Sequence, residues 1–386
     1  MIEENRIKKN LKKFAFPRLS GTKHELKAFN QLKKEVEDSN LDFEVQKFTF
    51  SSFYSRIYPK IAFSSGSLIY LTFYLPFHPI LISIFVIILS SIIISSFLLT
   101  RKPERIQFIK KFKSQNLIVR VKSLSDKMKD INRTVLFMSH IDSKGQRFKI
   151  QSRIRIIKLW IGTSIVLLVT LSFKFLIYIA FDLIFYLVAG CSLILNFLAS
   201  ILINLNITDN RSEGAVDNAS GIACNLELLH HYSNSKNRLF NYDIWFLFTG
   251  AEECGTMGIR HFYNNLEKYD PEKSIAFNFE SIAKHVYLFP GGKEGANAQD
   301  IDNYILNNTR NLRINHYITN RVFGTHSDGG YLGSKDIQGY GIGGVDAYEY
   351  MHTPNDTLDK VDTKILEKLC LVLTDSLKKH DSTFFE

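Results

Sequence analysis

Cysteine is scarce in this chain of 386 residues, and its four cysteines lie far apart, with no paired spacing. Closely spaced cysteines are typical of small disulfide frameworks and of thiolate zinc sites, so neither is expected to organise this fold. The absence of such pairs fits a reducing compartment. The cysteines are Cys191, Cys224, Cys254 and Cys370.

Several targeting and low-complexity features are also missing. No cleavable signal peptide is predicted, because the opening stretch MIEENRIKKNLKKF is charged throughout. No internal repeat or low-complexity linker is present. The formal charge of +10 could suggest nucleic acid, but the Lys and Arg residues gather around apolar segments and form no basic face interleaved with aromatic residues. We therefore expect no nucleic-acid partner and favour an anionic membrane surface.

Charge is absent from one long stretch, since no Lys, Arg, Asp or Glu occurs from Ile61 to Leu99. The sequence PFHP divides this stretch into apolar segments near 58–75 and 79–99. The second segment is long enough to cross about 30 Å of hydrocarbon, whereas the first spans only if flanking residues such as Lys60 reach the interface. We interpret the stretch as a transmembrane helical hairpin, the alternative being a hairpin buried in a soluble core.

A second apolar block follows at about 159–205 and is interrupted only near Lys174 and Asp182. Its length allows two further spanning helices, near 157–173 and 183–203. Lys and Arg residues lie mainly at the outer ends of both hairpins. The positive-inside rule therefore predicts an integral, multi-pass membrane protein whose soluble segments all face the cytoplasm.

The remaining segments alternate between predicted strands and helices, which predicts an α/β fold: a mixed, mostly parallel sheet with helices on both faces. A helix after Thr22 and a strand near 43–50 belong to its N-terminal part. We expect one soluble domain built from residues 1–57, 101–156 and 206–386, with transmembrane hairpins inserted at 58–100 and 157–205.

Acidic and histidine residues occur where the predicted strands end. The apolar run Ile244–Phe248 reads as a buried strand, and two adjacent glutamates follow it. Because ligands bind beyond the carboxyl ends of strands in such sheets, residues at successive strand ends can meet in one crevice. The residues at such ends or in nearby turns are His140, Asp142, Asp217, Glu252, Glu253, Glu280 and His352.

Two histidines with several carboxylates suit zinc or a similar divalent ion. One bridging carboxylate can hold two metals about 3.5–4 Å apart, and adjacent glutamates can divide metal binding from proton transfer. Each residue alone also has an ordinary explanation: His140 as a core histidine, Asp217 as a helix cap, Glu280 as a surface acid. Their joint occurrence at successive strand ends favours a metal site.

The motifs SHIDS, GAVDNASG, TGAEECGTMGIRHF, NFES and MHTPNDT occur in this order and resemble those of the co-catalytic di-zinc aminopeptidases. That group includes bacterial secreted leucine aminopeptidases and glutamate carboxypeptidase II. The resemblance extends to PRLSGTKHE near the N-terminus and THSDGGYL at 325–332. It covers nearly all of the soluble chain and neither hairpin, and it implies a zinc exopeptidase-like fold.

The resemblance also implies a role for each matching residue. Two Zn²⁺ ions would be held by His140, Asp217, Glu253, Glu280 and His352, with Asp217 as the bridge. The family usually has aspartate at the position of Glu280, so this chain departs from the pattern there. Glu252 would be the general base that takes a proton from the attacking water and passes it to the leaving amine. Asp142 would orient His140, and Asp328 would lie beside the substrate pocket.

The leading hypothesis is a membrane-anchored metallopeptidase that removes N-terminal residues from peptides, with peptide substrates and the lipid bilayer as partners. The oligomeric state is left open. One alternative is a glutaminyl cyclase, which shares the fold, uses one zinc and transfers an acyl group without water; the sequence HIDSK resembles that group too. The other alternative is a domain of the same fold that binds without catalysis.

Overall fold

The structure is a computed structural model and describes residues 1–106, 110–125, 133–176, 182–264, 266, 273–291, 314–316 and 327–385. It divides into two compact units. The first, here called the sheet unit, contains Met1–Phe50, Lys111–Gly145 and Asp209–Glu386. The second, here called the helical unit, contains Ser51–Lys110 and Gln146–Thr208.

The helices and strands are numbered along the chain. They are α1 Glu4–Phe14, α2 Lys23–Glu37, β1 Phe43–Ser51, α3 Tyr58–Tyr74, α4 Pro79–Thr100, β2 Lys111–Val121, β3 Thr134–His140, β4 Gly145–Gln146, α5 Ile150–Leu176, α6 Asp182–Leu205, β5 Thr208–Asp209, α7 Ser220–Ser233, β6 Asp243–Thr249, α8 Met257–Asn264, β7 Ser274–Phe279, β8 Val286–Gly291, β9 Ile314–His316, α9 Asp328–Gly333, β10 Gly339–Gly343 and α10 Thr363–Ser382.

Within the described residues, eight strands form one sheet in the order β1-β2-β6-β3-β7-β10-β8-β9, and β4 pairs with β5. The central strands β6, β3, β7 and β10 run parallel to one another. Strands β2 and β8 are antiparallel to β6 and β10, respectively. The predicted mixed, mostly parallel sheet is confirmed.

The sheet is covered by helices on both faces, which explains why its central strands are apolar along their whole length. Every residue of β3 is buried. Val135 and Phe137 point into a core shared with α1, α2, α7 and α10. Leu136 and Met138 alternate with them and pack into a second core with α8 and α9. The predicted helices on both faces are therefore confirmed.

Most helices and strands begin and end close to the residues that the sequence predicts. Thr22 caps α2 by accepting a hydrogen bond from the His24 backbone N–H at 3.3 Å. The helix predicted at about 254–266 begins only at Met257, because Gly255 and Thr256 adopt left-handed backbone angles. Helix α1 was not predicted. The helix predicted near 297–311 lies outside the described residues.

In the described part of the helical unit, three helices are long and apolar enough to cross a membrane: Pro79–Thr100, Ile150–Phe173 and Leu183–Leu205. Helix α3 has 17 residues and lies below that length. Large apolar side chains such as Ile88 on α4 and Leu168 on α5 are more than half exposed. Exposed apolar helices of this length are typical of membrane spans. Which segments cross, and in which direction, stays a prediction.

Polar side chains join α3, α5 and α6 inside the helical unit. Ser67 of α3 donates to Asn196 and lies 2.6 Å from the hydroxyl of Ser200, both on α6. The indole N–H of Trp160 on α5 donates to both serines, at 3.1 and 3.0 Å. Asn196 in turn donates to the hydroxyl of Thr163 at 3.0 Å. Such hydrogen bonds between apolar helices stabilise bundles in lipid.

Candidate metal centre

The predicted site residues lie at one edge of the sheet, because the parallel strands β3, β6 and β7 all end there. His140 is the last residue of β3, and the Glu252–Glu253 pair follows the end of β6. Glu280 follows β7 directly. Asp217 lies in the irregular turn before α7. The sheet thus places side chains from distant parts of the chain together.

Three of the turns at this edge contain a non-glycine residue in the left-handed region. Ala251, just before the glutamate pair, has a φ of 53°, and Ser281, just after Glu280, has a φ of 54°. His352 itself has a φ of 61°. Such backbone angles cost about 1–3 kcal/mol each and cluster at functional sites, where the surrounding structure holds them in place.

The first group of donor atoms comes from His140, Glu252 and Glu280, whose ligand atoms lie within 4.8 Å of one another. The Oε1 atom of Glu280 is 3.4 Å from Nε2 of His140. Its other carboxylate oxygen accepts a hydrogen bond from the side chain of Asn278, two residues earlier, at 3.1 Å. Asn278 therefore fixes the orientation of the Glu280 carboxylate.

The second group consists of Asp217, Glu253 and His352, again within 4.8 Å of one another. Nε2 of His352 lies 3.2 Å from Oδ2 of Asp217 and 3.0 Å from Oε1 of Glu253. The other oxygen of Glu253 forms an ion pair with Lys144 at 2.5 Å. Lys144 therefore balances part of the negative charge at this group.

Asp217 joins the two groups, because its two carboxylate oxygens face different histidines. Oδ1 lies 3.2 Å from Nε2 of His140, whereas Oδ2 lies 3.2 Å from Nε2 of His352. Ser281 donates a hydrogen bond to Oδ1 at 3.1 Å. This arrangement is the one that a bridging carboxylate requires.

The donor set fits a divalent cation. Nδ1 of His140 lies 3.0 Å from the carbonyl oxygen of Asp142, so in the neutral imidazole Nδ1 carries the proton and Nε2 has the lone pair that a cation would need. That Nε2 atom is buried and has no hydrogen-bond partner among the described residues. Lone pairs and carboxylates that converge in a buried site repel one another unless a cation lies between them. Imidazole and carboxylate donors match zinc.

The neighbouring charges shift the pKa values of the central groups in opposite directions. Burial alone would raise the pKa of Asp217, but its contacts with His140 and His352 lower it well below its usual value. Burial would likewise lower the pKa of His140, but Glu280, Asp142 and Asp217 raise it well above its usual value. The electrostatic field of the site thus strongly favours negative carboxylates next to positive charge.

Glu252 and Glu253 are adjacent in sequence but have opposite pKa shifts. Burial, together with the negative charge of Glu280, raises the pKa of Glu252 well above its usual value. Burial would raise the pKa of Glu253 too, but His352 and Lys144 lower it to about 2. Glu253 is therefore a permanent anion, whereas Glu252 has a high proton affinity.

The Asp142 carboxylate contacts the turn that contains Glu252 and Glu253 more closely than it contacts the ring of His140. Its carboxylate accepts hydrogen bonds from the backbone N–H groups of Glu252 and Glu253, at 3.0 and 3.1 Å. The same carboxylate accepts from the hydroxyl of Ser20. Its distance to Nδ1 of His140 is 3.6 Å, longer than that from the Asp142 carbonyl oxygen to the same atom.

Asp328 lies at the start of α9 and is fully buried. Thr249, the last residue of β6, donates a hydrogen bond to one oxygen of Asp328. The other oxygen has no hydrogen-bond partner among the described residues. Burial raises the pKa of this carboxyl group to about 7.

Three further buried charged residues support the site and were not predicted: Glu25, Asp356 and Arg18. Glu25 accepts hydrogen bonds from the backbone of Ala251 and from Ser114, at 3.0 and 2.6 Å. Asp356 accepts from the backbone N–H groups of Val216 and Asp217, at 2.6 and 3.3 Å. All three residues lie inside motifs already singled out, but their backbone partners cannot be read from a sequence.

Residues 195–375 match the profile of peptidase family M28. No curated protein sequence matches the chain at a significant level.

Solved structures of two aminopeptidases and of a glutaminyl cyclase are similar in fold. The aminopeptidase from Aneurinibacillus sp. strain AM-1 aligns with a TM-score of 0.58 at 13% identity, covering 98% of this chain and 94% of that chain. The zinc aminopeptidase BSAP from Bacillus subtilis has a TM-score of 0.55 at 13% identity, covering 98% and 95%. A glutaminyl cyclase from Fimbriiglobus ruber has a TM-score of 0.50 at 15% identity, covering 98% and 95%.

These comparisons confirm the resemblance that the motifs predict. The chain has the fold of the zinc exopeptidases, and the match of residues 195–375 to peptidase family M28 supports a metallopeptidase. Zinc is the metal that the family and the donor groups support.

Proposed function

We propose that this chain is a membrane-anchored zinc aminopeptidase that hydrolyses N-terminal residues from peptides. The observation that carries the proposal is that Asp217 joins two buried donor groups through its two carboxylate oxygens. The proposal is supported by the match to family M28 and by the order of the motifs along the chain.

His140 and Glu280 would hold one zinc ion, Glu253 and His352 would hold the other, and Asp217 would bridge them. When bound, zinc would lower the pKa of water at the site and polarise the carbonyl group of the peptide. The residues of the chain then have to fix the donor geometry and move protons.

Glu252 is the proposed general base. Its backbone is fixed by Asp142, and its carboxylate lies among the donor atoms of His140 and Glu280. A carboxylate with a raised proton affinity can take a proton from the attacking water and pass it to the leaving amine. Glu253 is a poor candidate for this role, because His352 and Lys144 lower its pKa to about 2 and so make it a weak proton acceptor.

The proposed substrate is a peptide with a free N-terminus. Its ammonium group would enter a buried region that is rich in carboxylates. Asp328 is proposed to lie beside the substrate pocket, since one of its oxygens has no partner in the described part of the chain. Acidic groups at such a site favour a positively charged amine over a blocked one.

The apolar helices are proposed to anchor the enzyme in a lipid bilayer, with the sheet unit in the cytoplasm. This part rests on the length of α4, α5 and α6 and on the positive-inside rule. The Lys and Arg residues at the ends of the hairpins would contact anionic lipids, each contributing about 1 kcal/mol near the surface.

The test is hydrolysis of a panel of short peptides by the detergent-purified protein, with free and acetylated N-termini compared pairwise. We expect release of the first residue from free peptides only, abolished by a zinc chelator and restored by Zn²⁺. Cleavage of acetylated peptides at the same rate would contradict an aminopeptidase.

A glutaminyl cyclase is the second candidate, favoured by the similarity of fold to that enzyme from Fimbriiglobus ruber. The same panel separates the two functions when it contains a peptide that begins with glutamine. Loss of ammonia with the peptide intact would identify the cyclase, whereas release of free glutamine would support the aminopeptidase.

A further inference from the structure

Two donors of the proposed metal centre lie on opposite sides of a long insertion. His140 ends β3, and Asp217 follows only after α5 and α6. The sheet fixes His140, but Asp217 lies in an irregular turn that belongs to no strand. The pair of β4 and β5 joins the two ends of the insertion, and a further contact is needed to set the position of the turn itself relative to the end of β3.

Arg18 makes that contact. Its side chain is completely buried, and Nε donates to the carbonyl oxygen of Ile141, next to His140, at 2.6 Å. Nη1 donates to the carbonyl oxygen of Glu213 at 2.6 Å, and Nη2 donates to that of Gly214 at 2.9 Å. One guanidinium group thus binds the backbone on both sides of the insertion.

The backbone of Arg18 strengthens the same connection. Its N–H donates to the hydroxyl of Ser143 at 3.1 Å, and its carbonyl oxygen accepts from the N–H of Ser143 at 3.2 Å. The hydroxyl of Ser143 donates in turn to the carbonyl oxygen of Ser212 at 3.3 Å. Arg18 and Ser143 together connect the segment that follows β3 with the segment that precedes Asp217.

Gly214 shows how closely the two segments approach each other. A Cβ atom at this position would lie 2.5 Å from the Cβ of Ser143 and 3.0 Å from Nη1 of Arg18. Gly214 also has a φ of 62°, in the left-handed region that favours glycine. The contact therefore leaves no room for a side chain.

The partners of Arg18 are unusual for a buried arginine. All four of its side-chain hydrogen bonds go to backbone carbonyls, the fourth to Phe16 at 3.0 Å. No carboxylate lies within ion-pair distance of it among the residues that the structure describes. A guanidinium group bound only to carbonyl oxygens fixes backbone geometry, and its planar fork does this better than a lysine ammonium can.

We propose that Arg18 is a positioning residue of the metal centre: it sets the distance between His140 and Asp217 across the inserted helices. This inference rests on the proposed metal site. Arg18 touches neither substrate nor donor atoms, so its removal should change zinc binding and turnover through geometry.

The test compares Arg18→Met with a matched control, Arg6→Met, in the full-length protein. Arg6 also has a partly buried guanidinium group in the sheet unit, but it binds the buried carboxylate of Glu227, away from the metal donors, at 2.7 Å. Both variants should lose thermal stability. We expect only Arg18→Met to bind zinc about 10–100-fold more weakly, the effect typical of residues that support metal ligands.

A spectroscopic measurement separates positioning from general destabilisation. The visible absorption of the Co²⁺-loaded protein reports ligand geometry, so its band positions should shift in Arg18→Met and stay unchanged in Arg6→Met. For the substrate, kcat should fall while KM stays within about threefold, because the substrate pocket itself is intact. Arg18→Lys should restore zinc affinity only in part.

Wild-type zinc affinity and an unchanged Co²⁺ spectrum in folded Arg18→Met would overturn the inference. If that variant does not fold, Ser143→Ala serves instead: weaker zinc binding would support the inference, and unchanged binding would overturn it. Failure of the proposed function is a different result, because the wild-type protein itself would then bind no zinc or hydrolyse no peptide.

Discussion

At the scale of single residues, neighbouring carboxylates of the candidate site differ in their surroundings. Glu252 and Glu253 adjoin in the chain, yet one faces Glu280 and the other is paired with Lys144 and His352. Such pairs, whose pKa values move apart, are typical of acid–base catalysis beside a charged ligand. Two predictions follow at this scale.

Glu252→Gln should abolish hydrolysis while zinc binding is kept. The amide cannot accept a proton from water, and general bases of this kind contribute about 10²–10⁴-fold to the rate. The measurement is kcat on a free tripeptide with zinc content determined on the same sample. Loss of zinc from this variant would instead make Glu252 a ligand.

Asp217→Asn should weaken both metal positions, because a neutral amide replaces the carboxylate that faces both histidines. His352→Ala should weaken only one position. Zinc per chain after dialysis should therefore be lowest in Asp217→Asn, and Asp336→Asn, an exchange outside the site, serves as the control. Equal zinc contents in all three variants and the wild type would show that Asp217 does not bridge two metal ions.

Most donor residues could be predicted from the sequence, because they lie at strand ends and inside recognisable motifs. The supporting residues could not. Asp356 and Glu25 act on backbone N–H groups of other segments, and such contacts exist only once the chain is folded. Asp142 was expected to orient His140, whereas its carboxylate lies closer to the backbone of Glu252 and Glu253.

At the scale of elements, hydrophobic patterns predict most helices and strands, while their ends depend on local backbone angles. The central strands were clear because both faces of the sheet are buried. The late start of α8 could not be predicted from the sequence, because it depends on the left-handed backbone angles of Gly255 and Thr256. Helix α3 is the predicted membrane span with the weakest sequence signal, and its packing against α5 and α6 can be tested.

Asn196→Leu should loosen the packing of the helical unit. The substitution removes the hydrogen bonds that Asn196 makes with Ser67 of α3 and Thr163 of α5. Hydrogen bonds between helices in lipid contribute about 1 kcal/mol, so the thermal unfolding of the helical unit in detergent should shift to lower temperature. Leu195→Ala, at an exposed position next to it, should shift it much less. Equal shifts would contradict a stabilising polar cluster.

At the scale of the whole molecule, three separate segments of the chain build one sheet unit, and two segments build the helical unit. The predicted hairpins at 58–100 and 157–205 fall within the segments of the helical unit. An even number of crossings is what would keep all parts of the sheet unit on one side of a membrane. That condition depends on α3, whose 17 residues are fewer than a span usually has.

The predicted topology can be measured with single cysteines introduced into a Cys191→Ser background. Phe77→Cys, between α3 and α4, should react with a membrane-impermeant maleimide added outside intact cells. Lys236→Cys, on the sheet unit, should react only after the cells are permeabilised. Reaction of both positions from the same side would show that α3 does not cross.

The central claim is that the two donor groups around Asp217 form a catalytic zinc site. The most direct measurement is a titration of chelator-treated protein with Zn²⁺, recording bound metal and release of the first residue from a free peptide in the same sample. The account predicts that activity returns as zinc binds and saturates at two ions per chain, and that it does not return in Glu252→Gln. Saturated zinc sites without hydrolysis, or hydrolysis that needs no metal, would contradict it.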